Sequence, residues 1–221
     1  MGMFFLLIWF ILFSLRKDVR REMLIMSLIF GFCGPLADSL YYKDWWLPLT
    51  IMNTTVSFEA FIVGFCLGGI IAVIYEETFK DRLKIKRENR KERKKEFSLF
   101  IITLILIGLI FFGTYYIFDF NSLYATIFAM LIPTLFIWIK RRDLIKVSLI
   151  SGLLTLSAAI AVYSILIFIA PNWITFFYKF KNVPAIVLFN VPIDDFIWYF
   201  LGGCLVAPLY PFWVKGKLIR I

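Results

Sequence analysis

The chain has 221 residues, of which 62% are hydrophobic, 19% aromatic and only 18% charged, with a net charge of +9 and a mean hydropathy of +0.86. A soluble domain carries about 25% charged residues, spread over its surface; here the charges are bunched, which excludes an ordinary soluble domain. With no histidine and no Cys-x-x-Cys pair, the usual zinc, haem and Ser-His or Cys-His arrangements lack their groups.

Between the charge clusters run apolar stretches of roughly 17–25 residues, the length that crosses a hydrocarbon core. Seven spans are predicted, at 3–15, 23–42, 55–75, 98–118, 122–139, 144–170 and 186–213. The first is short. The last contains Pro192 and Pro208, expected to kink it because proline removes a backbone donor. Cys33, Cys66 and Cys204 fall inside apolar stretches and read as small buried hydrophobes. Trp45, Trp46 and Trp173 read as interfacial belt residues.

Of the 24 Lys and Arg, 21 lie after spans 1, 3, 5 and 7, and only Lys43, Lys179 and Lys181 lie in the alternate loops. Positive charge stays on the cytoplasmic side, so the expected topology is a multi-pass cell-membrane protein with an external N-terminus and a cytoplasmic C-terminus. The basic stretch 80–95 is expected to contact anionic lipid, each charge contributing about 1 kcal/mol, rather than nucleic acid.

The chain also matches itself. Arg20-Arg-Glu-Met-Leu-Ile-Met-Ser-Leu-Ile-Phe-Gly31 aligns with Arg141-Arg-Asp-Leu-Ile-Lys-Val-Ser-Leu-Ile-Ser-Gly152, and 56–75 aligns with 191–210 without a gap. In the second alignment Val56/Val191, Phe61/Phe196, Phe65/Phe200, Gly68/Gly203 and Tyr75/Tyr210 are identical, and Glu59 faces Asp194. The predicted fold is therefore all-α, with seven transmembrane helices in two parallel three-helix repeats joined by a linker helix. Residues 1–75 form the first repeat, 76–121 the basic loop and linker helix, and 122–221 the second repeat.

Acids at membrane depth cost about 2.5–3.5 kcal/mol each to insert and mark functional sites. Asp38, Glu59, Asp194 and Asp195 are the four candidates, all expected in the outer half of the bundle. Glu76 and Glu77 read as interfacial charges beside the lysines. Tyr199 and Trp198 follow Asp195 and Asp194 by one helical turn, where ring faces could stabilise a developing cation.

Val191-Pro-Ile-Asp-Asp-Phe-Ile-Trp-Tyr-Phe200 resembles the Pro-x-Glu-Glu-x-x-x-Phe signature of the lycopene cyclase domain of heterodimeric and fused carotenoid cyclases. Arg21-Glu-Met-Leu-Ile-Met-Ser-Leu28 and Gly68-Gly-Ile-Ile-Ala-Val-Ile-Tyr-Glu76 are similar to that family too. The resemblance implies a lycopene beta-cyclase-type, redox-neutral cyclisation of an acyclic carotenoid or other isoprenoid. An acid protonates the terminal double bond, the cation closes a ring, and a base removes a proton, with no metal or nucleotide cofactor. Carried over, Asp194 and Asp195 supply acid and base, with Glu59 their counterpart and Asp38 nearby. Trp198, Tyr199, Phe196 and Phe61 are expected to wall the substrate. The departures are Asp in place of both Glu, Ser57 in place of the first unit's proline, and Ala60 in place of its second acid. The competing readings are a small-molecule transporter of the same 3+1+3 arrangement, without the paired hinge prolines such a protein uses, and a non-catalytic membrane scaffold.

Overall fold

The computed structural model describes residues 2–47, 50, 54, 57–85 and 90–220. Val56 of the internal alignment, the first two residues of the predicted third span, and 86–89 of the basic stretch lie outside them. The described residues form eight α-helices: α1 (Gly2–Leu15), α2 (Arg20–Asp44), α3 (Phe58–Phe79), α4 (Arg90–Tyr116), α5 (Ser122–Lys140), α6 (Ile145–Ile169), α7 (Trp173–Phe177) and α8 (Ile193–Trp213). Four short strands join them: β1 (Asp81–Lys84), β2 (Val187–Leu188), β3 (Val191–Pro192) and β4 (Lys217–Arg220).

Six helices, α2 to α6 and α8, are long and apolar enough to cross a membrane, which is compatible with a multi-pass membrane protein; α1 is shorter. At 14 residues and about 1.5 Å per residue, α1 falls short of a hydrocarbon core about 30 Å thick. The expected last span also starts later than its apolar run. Residues 187–188 pair with 191–192 as a hairpin, whose turn residues Phe189 and Asn190 have φ of 53° and 58°, the left-handed geometry of tight hairpin turns. Pro192 does not kink α8. It stands just before the first helical residue, where a missing N–H costs nothing.

α2 packs along α3 and α6 along α8, while α1 lies against α3 and α5 against α8. α3 and α8 touch each other, and α4 leans on α5. Of the apolar stretch of α8, 72% is buried, against 11% for α4, so α8 is the central helix and α4 the peripheral one. Small residues bring the paired helices close, as in membrane helix packing. A Cβ on Gly34 would fall 2.3 Å from the Ala60 carbonyl oxygen, and one on Gly64 2.4 Å from that of Phe30. In the other pair, a Cβ on Gly152 would meet Cys204 Sγ at 2.6 Å, and one on Gly203 the Ser151 carbonyl oxygen at 2.6 Å. Cys66 and Cys204 are buried as expected, whereas Cys33 is exposed.

The connections collect at two ends. At one, Arg16 reaches Glu77 (2.6 Å), Arg141 donates to the Gly216 carbonyl (2.8 Å), and β1 pairs antiparallel with β4. This end gathers the basic segments. At the other end the C-terminus of α2 is tied to the segment after α7. Leu47 N–H donates to Phe177 O (2.6 Å), Lys179 N–H to Trp45 O (2.8 Å) and Lys181 N–H to Asp44 O (3.0 Å). Asp44 also accepts from Ser122 N–H (3.0 Å) and from the Ser122 hydroxyl (2.5 Å). Thus α2, α5 and the 177–181 segment are laced together around Trp45 and Trp46.

Candidate active site

α8 begins Pro192-Ile-Asp-Asp, which places both acids in its first turn. No side chain caps this helix end, and the two carboxylates lie beside first-turn amide groups, where negative charge is favourable. Their surroundings are protein: Asp194 is 3% exposed and Asp195 4%.

Each acid has its own type of partner. Trp45 Nε1–H donates to Asp194 Oδ2 at 2.6 Å, while Asp194 Oδ1 is buried with no hydrogen-bond partner among the described residues. A buried polar atom without a partner costs about 1–3 kcal/mol, so this oxygen is a place to look for chemistry. Asp195 Oδ2 accepts from two phenols, Tyr163 at 2.6 Å and Tyr178. The third acid, Asp38, is half-buried on α2 and accepts from Trp46 Nε1–H at 3.1 Å. The ring of Trp46 packs near that of Tyr178, with centroids 6.1 Å apart, and the two backbones form an antiparallel bridge. Asp38 is thereby linked to Asp195 through Trp46 and Tyr178, while Asp194 is held by the indole of Trp45. Glu59 is placed on α3, in its first turn and half-buried; none of the hydrogen bonds just described involves it.

The rings divide the same way. Tyr199 is buried and stands edge-on to both Trp198 (5.1 Å, 81°) and Tyr163 (6.0 Å, 79°). Tyr163 in turn stacks on Trp173 (5.1 Å, 19°). Phe196, half-buried, packs against the main apolar core. Phe61 belongs to a different ring cluster, with Phe58 and Phe65 of its own helix and Phe32 of α2.

Several residues escaped the sequence reading. Trp45 and Trp173 are buried, at 4% and 3% exposed, rather than interfacial. An indole N–H inside an apolar bundle needs an acceptor, and Trp45 finds Asp194. Tyr163 and Tyr178 had no signal in spacing or charge. Glu76 is also not interfacial: it is 2% exposed and Glu22 3%, and each has an Oε1 without a partner among the described residues. Glu77, by contrast, pairs with Arg16 (2.6 Å) and Lys80, as an interfacial charge should.

Residues 121–213, a stretch that contains both α8 acids, Tyr163 and Tyr178, match the family model for lycopene cyclase. This part of the chain is similar to the lycopene cyclase family. The lycopene cyclase match leaves residues 1–120 outside it, and with them Trp45, Asp38 and Glu59. No curated protein and no solved structure matches the chain. The family implies a hydrophobic isoprenoid ligand and association with membranes.

Proposed function

We propose that this protein is a membrane cyclase of the lycopene cyclase type, acting on an acyclic carotenoid or a related isoprenoid in a redox-neutral reaction. The observation that carries the reading is the pair at the start of α8. One carboxyl has a buried oxygen with no partner among the described residues, and its neighbour is held by two phenols. Asp194 donates a proton from Oδ1 to the terminal carbon–carbon double bond. The carbocation is attacked by a neighbouring double bond and a ring closes. Asp195 then takes a proton from the carbon beside the cation, which restores a double bond. Buried acids suit this chemistry because water, which would capture the cation, is kept out. Ring faces of Trp198 and Tyr199 stabilise the cation on its path, with Phe196 and Phe61 as further apolar wall residues. Asp38 and Glu59 act as supporting acids.

In the same reading the chain spans the membrane seven times, the short α1 crossing where the bilayer thins to meet it, as two parallel three-helix repeats, 1–75 and 122–221, joined by residues 76–121. Corresponding contacts support the repeat. Gly31 meets Phe65 as Gly152 meets Phe200, and Gly68 meets Phe30 as Gly203 meets Ser151, each pair of positions separated by the offsets of the internal alignment. The charge bias supports an external N-terminus and a cytoplasmic C-terminus, with the acids near the outer face and the basic 80–95 stretch against anionic lipid. The test is expression in cells that accumulate lycopene, followed by pigment chromatography. Cyclic carotenoid is the expected product; unchanged lycopene in cells that hold the folded protein contradicts the reading.

A further inference from the structure

The acids of α8 are not the only buried ones. Glu22, in the first turn of α2, and Glu76, near the end of α3, are 3% and 2% exposed. Both lie just outside the predicted spans 23–42 and 55–75, at the basic end of the bundle, and the proposed reaction uses neither. Each Oε1 is buried without a donor among the described residues, yet the two carboxyls stand within hydrogen-bonding reach of each other. An ionised carboxylate only accepts hydrogen bonds, and two that share a dry site repel. One proton between them turns the same contact into a donor and an acceptor.

The groups around the pair do not neutralise it. Arg16 and Asp18, from the α1–α2 connection, face Glu76 but are bonded to each other at 3.0 Å, and Arg16 also holds Glu77 at 2.6 Å. Tyr210 of α8 stands beside both acids, with Arg21 of α2 near it, and the backbone of Leu83 on β1 faces Glu76. The second repeat has no such pair. At the offsets of the internal alignment Glu22 corresponds to Asp143 and Glu76 to Pro211, and Asp143 is bonded to Arg141 at 2.7 Å. The pair is therefore particular to the first repeat and is not a by-product of the duplicated fold.

We infer that Glu22 and Glu76 form a proton-binding site that holds one proton between the two carboxyls, and that this shared proton clasps α2 to α3 at the basic end. The clasped pair carries one negative charge in place of two. Loss of the proton sets two carboxylates against each other, and the clasp opens.

The experiment follows unfolding of the full chain in detergent as a function of pH, with Glu22→Gln, Glu76→Gln and the double variant beside the wild type. In the unfolded chain both carboxyls release their protons near their ordinary value of about 4.3. A folded state that keeps one proton above that value loses stability as pH rises, by at most about tenfold in the folding equilibrium per pH unit. A Gln at one position gives the remaining carboxylate a permanent N–H donor. Both single variants and the double are therefore expected to lose the same slope, because one proton is shared. Subtracting a variant from the wild type cancels the acids common to both. A wild-type slope that neither single variant changes, or losses in the single variants that add up in the double, overturns the assignment. An unfolding midpoint raised by Na⁺ or Mg²⁺ at fixed pH assigns the gap to a metal cation and overturns it too. If the Gln variants fail to accumulate, the wild type labelled with isotopic glutamate reads the same proton through its carboxylic-acid C=O infrared band at pH 6. A band that Glu59→Gln leaves in place is expected; no such band overturns the inference. None of these measurements uses turnover, so their outcome is separate from that of the cyclase reading.

Discussion

Two helices of this protein begin at the same end of the bundle and take opposite approaches to it. α3 starts Ser57-Phe-Glu-Ala, and the Ser57 hydroxyl caps the helix by accepting from Ala60 N–H at 3.0 Å. α8 starts Pro192-Ile-Asp-Asp, without a side-chain cap, and both of its acids are buried under indole and phenol donors. At the offset that aligns them, Glu59 faces Asp194 and Ala60 faces Asp195. The first helix uses its start for stability, while the second leaves an oxygen of Asp194 without a partner among the described residues. A buried polar group left unsatisfied calls for an explanation, and a catalytic role is one. The two halves are not independent, however, because the indole that holds Asp194 comes from α2.

The comparison breaks first at Asp195. Asp195→Ala makes the start of α8 resemble that of α3, and ring formation should fall by about two to four powers of ten, as for loss of a general base. Product quantified per folded protein checks this; activity above a tenth of wild type, on the order of one lost contact rather than a lost base, would place the base elsewhere.

The helix pairs give the next effect. Gly203→Val and Gly64→Val drive a side chain into backbone at 2.6 and 2.4 Å, and overpacking of this kind costs about 1–3 kcal/mol. Thermal unfolding in detergent should show a lower midpoint for both, whereas Gly108→Val, where a Cβ meets nothing within 4 Å, should leave it in place.

Trp45→Phe sharpens the link between the halves. It keeps an aromatic ring but removes the N–H from Asp194, so the carboxyl loses its indole donor. A hydrogen bond to a charged group contributes about 1.5–3 kcal/mol, and the rate should fall by roughly tenfold or more with the protein still folded. Glu59→Gln, on the capped helix, should cost less than any of these, as the same product assay will show.

The smallest effect lies at the basic end. Between α1 and α2, the Arg16 guanidinium holds the Asp18 carboxyl below its usual 3.8, bonding it at 3.0 Å. A carboxyl whose folded value is depressed contributes stability that is full above its ordinary value and is lost as pH falls through the folded one. The pair is partly exposed, so the contribution is at most about 1 kcal/mol. Unfolding of wild type and Asp18→Asn should differ slightly at pH 7 and converge below pH 4, near the ordinary carboxylate value.

The helical architecture was legible because apolar length and charge clustering act through the same physics that folds the chain. Long runs must satisfy their backbone internally and so become helices. The errors fall where local chemistry overrode hydropathy. Residues 187–192 are apolar enough to extend a span, yet a turn at Phe189 and Asn190 pairs them as a hairpin. Glu76 looked interfacial by its position in the chain, but its face of α3 turns inward beside Glu22. Asp194 and Asp195 stood out as charges in an apolar setting. Their partners did not, because Trp45, Tyr163 and Tyr178 lie 149, 32 and 17 residues away and look like any other ring in a chain rich in them.

The central claim is that Asp194, through its unpartnered oxygen, donates the proton that starts ring closure. Asp194→Asn keeps the shape of the side chain and can still accept from Trp45, but it carries no acidic proton. Pigment chromatography of lycopene-accumulating cells expressing wild type and Asp194→Asn at equal folded levels tests this directly. The account predicts cyclic carotenoid from the wild type and lycopene alone from the variant. Cyclic carotenoid from both in equal amounts would contradict it.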